Sequence, residues 1–241
     1  MVNSNLREID VLILCGGLGR RLSSCVNDRP KVLAEISGIP FLEILLDNIL
    51  QSNFKNIILS VGYLKEQIKE HFCCRPNYRI KFSEEKALLG TGGAVKKARA
   101  LIKSNSFVVM NGDSICKIDF NEFYDFHMTK KAILSIALVH SETCEDYGLV
   151  TLDALNKIKS FREKVSEGKT GLISVGIYLM QKDIFTYMPH EKYFSLEQDF
   201  FPKIIKERCY GFVSNGKLID IGTPARYKRA VNLLRKDEYY D

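Results

Sequence analysis

The sequence of 241 residues lacks the features that mark several large classes of protein. It contains no run near the ~18 uninterrupted apolar residues of a membrane span, and its N-terminal residues are polar and form no apolar signal core. Its lysines and arginines form no basic run interleaved with aromatic side chains, the pattern of single-strand binders. We therefore expect a cytoplasmic protein that binds neither membranes nor nucleic acids.

Metal-ligand and disulfide spacings are missing too. The seven cysteines include no Cys-x-x-Cys pair, and the four histidines include no His-x-x-x-His pair. Common zinc sites are thereby excluded, and an odd number of cysteines fits free thiols in a reducing compartment. The net charge of +6 suits small anionic substrates.

A glycine-rich stretch directly after the first apolar run carries the strongest signal. The run ends in Gly16, Gly17 and Gly19, and the cations Arg21 and Lys31 follow. Glycines let the backbone approach a ligand and point N–H groups at it, while arginine and lysine supply donors and charge for phosphate. The stretch predicts a strand that runs into a polyphosphate-binding loop. The alternative is a glycine turn beside solvated charges.

Two other nucleotide-binding loops are excluded by residue type. A Walker loop needs Gly-x-x-x-x-Gly-Lys-Ser/Thr, which the sequence does not contain. A dinucleotide loop needs Gly-x-Gly-x-x-Gly or Ala, and Leu22 occupies its third position here. The loop therefore supports neither hydride transfer nor P-loop chemistry.

Apolar runs and helical periodicity alternate along the first half of the chain. They predict strands at residues 9–15, 57–61, 78–82 and 107–110, helices starting at Pro40 and Leu64, and a second glycine loop, Gly90–Ala94, that opens a helix. In the second half, strands at 132–139, 148–152, 157–161, 172–180 and 217–221 precede or separate helices at 194–207 and 224–234. Strand–helix alternation predicts an α/β domain with a mainly parallel sheet.

Acidic residues follow or end two of these strands. Asp113 comes just after the strand at 107–110, and Asp220 lies at the end of the strand at 217–221. Two carboxylates plus phosphate oxygens suit Mg²⁺. Glu163 and Lys164 close a further strand. A polyphosphate loop beside a magnesium pair indicates phosphoryl or nucleotidyl transfer, although singly these residues could be turn caps or a surface ion pair.

Six motifs follow one another along the chain: Gly16-Gly17-x-Gly19-x-Arg21-Leu22 with Pro30-Lys31, Leu89-Gly90-Thr91-Gly92-Gly93-Ala94, Asn111-Gly112-Asp113, Phe161-x-Glu163-Lys164, Gly176-Ile177-Tyr178 and Asp220-Ile221-Gly222-Thr223-Pro224. In this order they resemble the sugar-1-phosphate nucleotidyltransferase family over about residues 9–235. The resemblance implies a Rossmann-like three-layer sandwich with a mixed, mainly parallel central sheet. It further implies one domain, 1–241, with a nucleotide-binding part (about 1–130) and a sugar-phosphate-binding part (about 131–241).

The resemblance also implies a role for each matching residue. Nucleotide contacts fall on Leu14, Gly16, Gly17, Gly19, Arg21, Lys31, Gly90, Thr91, Gly92, Asn111 and Gly112. Sugar-phosphate contacts fall on Gly148, Glu163, Lys164, Ser174 and Gly176. Asp113 and Asp220 would bind Mg²⁺, and the catalytic cations would be Arg21, Lys31 and Lys164.

Within the family, the chain most resembles the bacterial D-glycero-α-D-manno-heptose 1-phosphate guanylyltransferases. The implied reaction transfers GMP from GTP to a sugar 1-phosphate and releases pyrophosphate, for surface polysaccharide synthesis. Alternatives are mannose-1-phosphate guanylyl transfer, uridylyl transfer, a small-molecule kinase and a nucleotide-sugar sensor. The roles of Arg20, Glu197 and Asp199 stay open, and Tyr239 and Tyr240 could serve a homodimer contact.

Overall fold

A nine-stranded sheet runs through the computed structural model, which describes residues 6–73, 75, 78–144, 147–163 and 170–234. The sheet strands are β1 Asp10–Leu14, β4 Asn56–Val61, β5 Ile80–Glu84, β6 Ser106–Asn111, β8 Leu134–Ser141, β9 Leu149–Leu152, β10 Ile158–Arg162, β11 Gly171–Gln181 and β12 Cys209–Val213. Two ribbons pair β2 Glu35–Ile36 with β3 Ile39–Pro40, and β7 Ser114–Cys116 with β13 Leu218–Asp220. The helices are α1 Phe41–Gln51, α2 Lys65–Cys73, α3 Gly90–Ala98, α4 Phe120–Thr129, α5 Phe201–Ile204 and α6 Pro224–Leu234.

The sheet is parallel in its first half and mixed in its second. β1 pairs in parallel with both β4 and β6, and β4 pairs in parallel with β5. β11 is antiparallel to β6, β8 and β9, and β12 is parallel to β8. Helical crossovers join the parallel strands, as parallel pairing requires. The predicted α/β fold with a mixed central sheet is confirmed.

Two hydrophobic cores cover the two faces of the sheet. Along β1, Val11 and Ile13 belong to one core and Leu12 to the other. The first core includes side chains of α1, α2, α4 and α6, whereas the second includes α3 and α5. Because both faces of β1 are buried, its residues 11–14 form an uninterrupted apolar run.

The predicted helix at 194–207 is wrong in extent. A π-helical turn, Leu196–Phe200, leads into the short helix α5. Pro202 has no backbone N–H to donate to the preceding turn, so a single regular helix cannot pass through it. Five of these helices and strands were not predicted from the sequence: α4, β2, β3, β7 and β12. The N-cap of α4 is Asp119, whose carboxylate accepts hydrogen bonds from the backbone N–H groups of Asn121 and Glu122.

A neutral histidine is buried where α4 meets the sheet. His127 is fully buried; its Nδ1 lies 2.8 Å from Ser135 Oγ and its Nε2 lies 3.2 Å from Gln181 Nε2. Because the Gln181 amide nitrogen can only donate, Nε2 accepts and Nδ1–H donates to Ser135. Burial lowers the pKa of His127 to about 3.

We expect this histidine to make the protein less stable in mild acid. Below pH 6.5 the unfolded chain binds a proton that the folded chain excludes, so the free energy of unfolding falls with pH until the folded pKa is reached. Between pH 7 and pH 5 the loss from this residue is about 2 kcal/mol. Denaturant unfolding at both pH values should show that loss in the wild type and in the exposed-site control His140→Asn, but not in His127→Asn. An equal pH dependence in all three proteins would contradict the assignment.

Candidate active site

Two neighbouring cavities open at the carboxyl ends of the central strands. The glycine-loop cavity, about 260 Å³, is lined by Leu14, Cys15, Gly16, Gly17, Lys31, Val32, Glu85, Leu88, Gly90, Thr91, Ala94, Asn111 and Asp113. The tyrosine cavity, about 270 Å³, has Tyr147 and Tyr178 in its wall. Thr91, Asn111 and Asp113 line both. Ligands in the two cavities would therefore meet beside Asp113, where open α/β sheets bind ligands.

The loop after β1 leaves room beside a buried carboxylate. A Cβ on Gly16 would lie 2.7 Å from Glu85 Oε1, so a larger residue would displace that side chain. Glu85 is 8% exposed, and it accepts hydrogen bonds from Ser60 Oγ and the Leu89 backbone N–H, both at 3.2 Å. Burial raises the pKa of Glu85 above its usual range. Sequence reasoning missed this residue, although it follows the carboxyl end of β5.

Three predicted nucleotide contacts line neither cavity. The amides of Gly92 and Gly93 donate to the Phe194 carbonyl, and the Phe194 ring packs over Gly92. The amide of Gly112 donates to the Leu14 carbonyl, and Gly19 takes a left-handed φ of 63°. The structure thus gives Gly19, Gly92 and Gly112 turn and packing roles, and their nucleotide contacts stay predictions.

Lys31 and Asp113 form an ion pair between the glycine loop and β6. Lys31 Nζ contacts Asp113 Oδ2, and their side chains are 16% and 29% exposed. Burial opposes ionisation of Asp113, but the charge and hydrogen bond of Lys31 outweigh it, with Arg21 adding to the effect. The pKa of Asp113 is consequently below its usual range. The carboxylate is therefore ionised and available to a cation.

Strand pairing places Asp220 next to Asp113. β13 is antiparallel to β7 with Asp220 opposite Ser114, and the Ile221 backbone N–H donates to the Asp113 carbonyl at 3.0 Å. Asp220 accepts hydrogen bonds from Tyr147 Oη at 2.5 Å and from the Gly222 N–H at 2.9 Å. Burial, and then the Asp220 carboxylate, raise the pKa of Tyr147. Tyr147 therefore stays a hydrogen-bond donor.

The two aspartates fit a divalent cation that a phosphate ligand helps to bind. Both line the tyrosine cavity, and the described residues contain no group of three or more His, Cys, Asp or Glu side chains that could hold a metal ion by themselves. Mg²⁺ binds through one or two carboxylates together with substrate phosphates and water. The donor set matches that kind of site and does not match a closed protein cage.

The tyrosine cavity contains most of the predicted sugar-phosphate residues. Gly148, Glu163, Ser174 and Gly176 all line it. Gly176 has a φ of 75°, and a Cβ there would lie 2.5 Å from Asn111 Nδ2, so glycine allows the close approach. Arg21 also lines this cavity and not the glycine-loop cavity. Lys164 and the pair Tyr239–Tyr240 lie outside the described residues.

Sequence reasoning assigned no role to part of the cavity wall: the motif residues Phe161, Tyr178 and Gly222, and outside the motifs Ser114, Tyr147, Val175, Gln198, Leu218 and Arg226. The sequence left the role of Glu197 open, and the structure places this residue in the wall of the tyrosine cavity. Glu197 accepts hydrogen bonds from Thr91 Oγ1 at 2.6 Å and Tyr178 Oη at 3.2 Å, and so connects the two cavities. Asp199 is exposed and accepts from the Ser195 N–H. Arg20 is exposed and lines neither cavity.

Comparison with known proteins identifies the family. The model of the Nucleotidyl transferase family matches residues 10–237. The chain belongs to this family. The match confirms the predicted resemblance and the predicted enzyme class. Nucleotidyltransferases of this family generally use a divalent metal, which agrees with the paired aspartates.

Several members of the family are similar over nearly the whole chain. The D-glycero-alpha-D-manno-heptose 1-phosphate guanylyltransferase of Aneurinibacillus thermoaerophilus is 36% identical over 92% of this chain and 96% of its own. That of Campylobacter jejuni is 37% identical over 91% and 97%. The crystal structure of HddC from Yersinia pseudotuberculosis superposes with a TM-score of 0.85 at 36% identity, covering 94% of this chain and 99% of HddC. HddC has also been solved complexed with GMP-PN.

Among the described residues, none of the helices has the length and hydropathy needed to cross a membrane. The predicted cytoplasmic location and homodimer stay predictions.

Proposed function

We propose that the protein transfers GMP from GTP to D-glycero-α-D-manno-heptose 1-phosphate, with GDP-heptose and pyrophosphate as products. The observation that carries this proposal is the pair of cavities that meet at Asp113. The glycine-loop cavity is lined only by residues 14–113, whereas the tyrosine cavity also draws on residues 147–226. The first would hold the nucleotide and the second the sugar phosphate. Two relatives that match nearly the whole chain are named for this reaction.

Glu85 supports guanine as the base in the glycine-loop cavity. An ionised carboxylate only accepts hydrogen bonds, and the Watson–Crick edge of guanine presents two neighbouring donors, N1–H and N2–H. Adenine presents one donor, N6–H, beside the acceptor N1, so one carboxylate oxygen would face N1 without a hydrogen bond, which is costly. The charge and position of Glu85 thus favour GTP over ATP.

The reaction needs charge neutralisation more than proton transfer. The acceptor phosphate is largely dianionic above its second pKa of about 6 and can attack the α-phosphorus without a general base. The P–O bond between the α- and β-phosphates breaks, and pyrophosphate leaves with the bonding electron pair. Lys31 lines the glycine-loop cavity, and Arg21 lines the tyrosine cavity. Their positive charges would offset the repulsion between the two polyanions.

Asp113 and Asp220 would hold Mg²⁺ at the junction of the cavities. When bound, the ion supplies charge for the phosphate oxygens and a template that orients them. Two carboxylates leave coordination positions for phosphate and water. Glu163 and Glu197 would accept hydrogen bonds from sugar hydroxyls, because both line the tyrosine cavity.

A substrate panel tests the proposal. GTP, ATP, UTP and CTP are each combined with heptose 1-phosphate or mannose 1-phosphate and Mg²⁺, and pyrophosphate release is measured. We expect the fastest release with GTP and heptose 1-phosphate. Faster release with UTP or CTP would contradict the assignment of guanine as the base. Faster release with mannose 1-phosphate would contradict the assignment of heptose as the sugar. Release of GDP or ADP in place of pyrophosphate would indicate a kinase. The absence of any product would indicate a protein that senses a nucleotide sugar without catalysis.

A further inference from the structure

Arg226 lies in the wall of the tyrosine cavity and is held there from two sides. Its side chain is 22% exposed, and Nη1 lies 3.5 Å from Asp220 Oδ1. Its guanidinium carbon lies 4.3 Å from the centroid of the Tyr147 ring, a cation–π contact. The guanidinium is therefore held at the cavity wall and does not extend into solvent.

Arg21 and Arg226 border the same small space beside Gly222. A Cβ built on Gly222 would lie 3.8 Å from Arg226 Nη1, 4.0 Å from Arg21 Nη2 and 2.8 Å from Asp220 Oδ1. Glycine at this position leaves the space open. Two guanidinium groups therefore lie beside this open space, and each can donate charge-assisted hydrogen bonds to a phosphate.

The position of Arg226 in α6 is unfavourable for the helix itself. α6 begins at Pro224, its first turn contains no acidic residue, and the Arg226 N–H donates to Thr223 Oγ1 at 3.4 Å. A cation in the first turn opposes the helix dipole. A residue that breaks a local rule and faces a cavity is expected to serve a ligand.

We propose that Arg226 binds the 1-phosphate of the acceptor sugar, an inference that rests on the proposed transfer reaction. Each of the paired aspartates has its own cation, since Lys31 pairs with Asp113 and Arg226 pairs with Asp220. Lys31 lines the glycine-loop cavity, and Arg226 lines the tyrosine cavity. An arriving acceptor phosphate takes two hydrogen bonds from the guanidinium fork, while Asp220 keeps its hydrogen bonds from Tyr147 and Gly222.

The test compares Arg226→Gln and Arg226→Lys with the control Arg229→Gln, one helical turn further along α6 and exposed. Loss of a charge-assisted phosphate contact should raise the KM for heptose 1-phosphate at least about tenfold in Arg226→Gln. Lysine keeps the positive charge but lacks the paired N–H donors of the guanidinium. The KM for heptose 1-phosphate of Arg226→Lys should therefore lie between those of Arg226→Gln and the wild type. The KM for GTP and the Mg²⁺ concentration for half-maximal rate should not change, and Arg229→Gln should match the wild type.

Calorimetric binding of heptose 1-phosphate without metal gives a second measurement that does not depend on turnover. We expect binding to weaken by the same factor in Arg226→Gln, by a smaller factor in Arg226→Lys, and not at all in Arg229→Gln. If Arg226 acts only by holding Asp220, the Mg²⁺ midpoint or the KM for GTP will move while acceptor binding stays unchanged, and the proposal is wrong. If the panel shows no nucleotidyl transfer but the calorimetric loss remains, the proposed function fails while the phosphate contact of Arg226 stands.

Discussion

Asp113→Asn should lower kcat about 10³-fold, or ~4 kcal/mol in the transition state, and leave the protein folded. Asp113 faces both cavities, so its negative charge acts where donor and acceptor phosphates meet. Asparagine keeps the shape of the side chain and removes the charge that a divalent cation requires. It also removes the ion-pair partner of Lys31. Steady-state kinetics at several Mg²⁺ concentrations measures the change.

The control for this variant is Asp119→Asn, which removes the same charge at a residue that lines neither cavity. Asp119 caps α4, and asparagine is an equally good N-cap, so rate and melting temperature should match the wild type. Asp113→Asn should still unfold cooperatively, but at a lower melting temperature, because Lys31 loses the partner of a mostly buried ion pair. Wild-type turnover in Asp113→Asn would rule out the metal assignment.

Glu85→Gln should lower kcat/KM for GTP about 10²-fold, which corresponds to the loss of ~2–3 kcal/mol of charge-assisted hydrogen bonding to the base. A glutamine amide offers one acceptor and one donating NH₂ group, so it cannot accept from both N1–H and N2–H of guanine. Uracil presents N3–H beside a carbonyl, which matches an amide. The ratio of kcat/KM for GTP over UTP should therefore fall still further.

Glu84→Gln is the matched control for this base-recognition prediction. Glu84 precedes Glu85 in the chain, forms ion pairs with Lys65 and Lys69, and lines neither cavity. We expect the wild-type ratio of GTP to UTP in this variant. An unchanged ratio in Glu85→Gln would show that Glu85 does not recognise the base, while the family membership of the chain would be unaffected.

The parts of the site that the sequence predicted lie close to a strand end. Asp113 follows β6, and the glycine loop follows β1, so an apolar run followed by a polar residue was enough to find them. Glu85 follows β5 in the same way, after a shorter apolar run that gives a weaker signal. Asp220 and Asp113 are 107 residues apart in sequence, and only the pairing of β13 with β7 shows that they are neighbours.

The residues that sequence reasoning missed depend on tertiary contacts. Tyr147 lies between strands, and its role follows from a hydrogen bond to Asp220 that no spacing indicates. Arg226 follows the last motif, and its position at the cavity depends on how α6 packs beside β13. Gly92 belongs to a ligand-like motif and also packs against Phe194, a contact that the motif alone does not indicate; its nucleotide contact stays a prediction.

The most direct test of nucleotidyl transfer follows the phosphorus atoms of GTP in the reaction with heptose 1-phosphate. With [α-³²P]GTP, the label should appear in the nucleotide sugar, and with [γ-³²P]GTP it should appear in pyrophosphate. Both results together require attack of the sugar phosphate at the α-phosphorus. Transfer of the γ-label to the sugar phosphate, with release of unlabelled GDP, would contradict the proposed reaction and indicate a kinase.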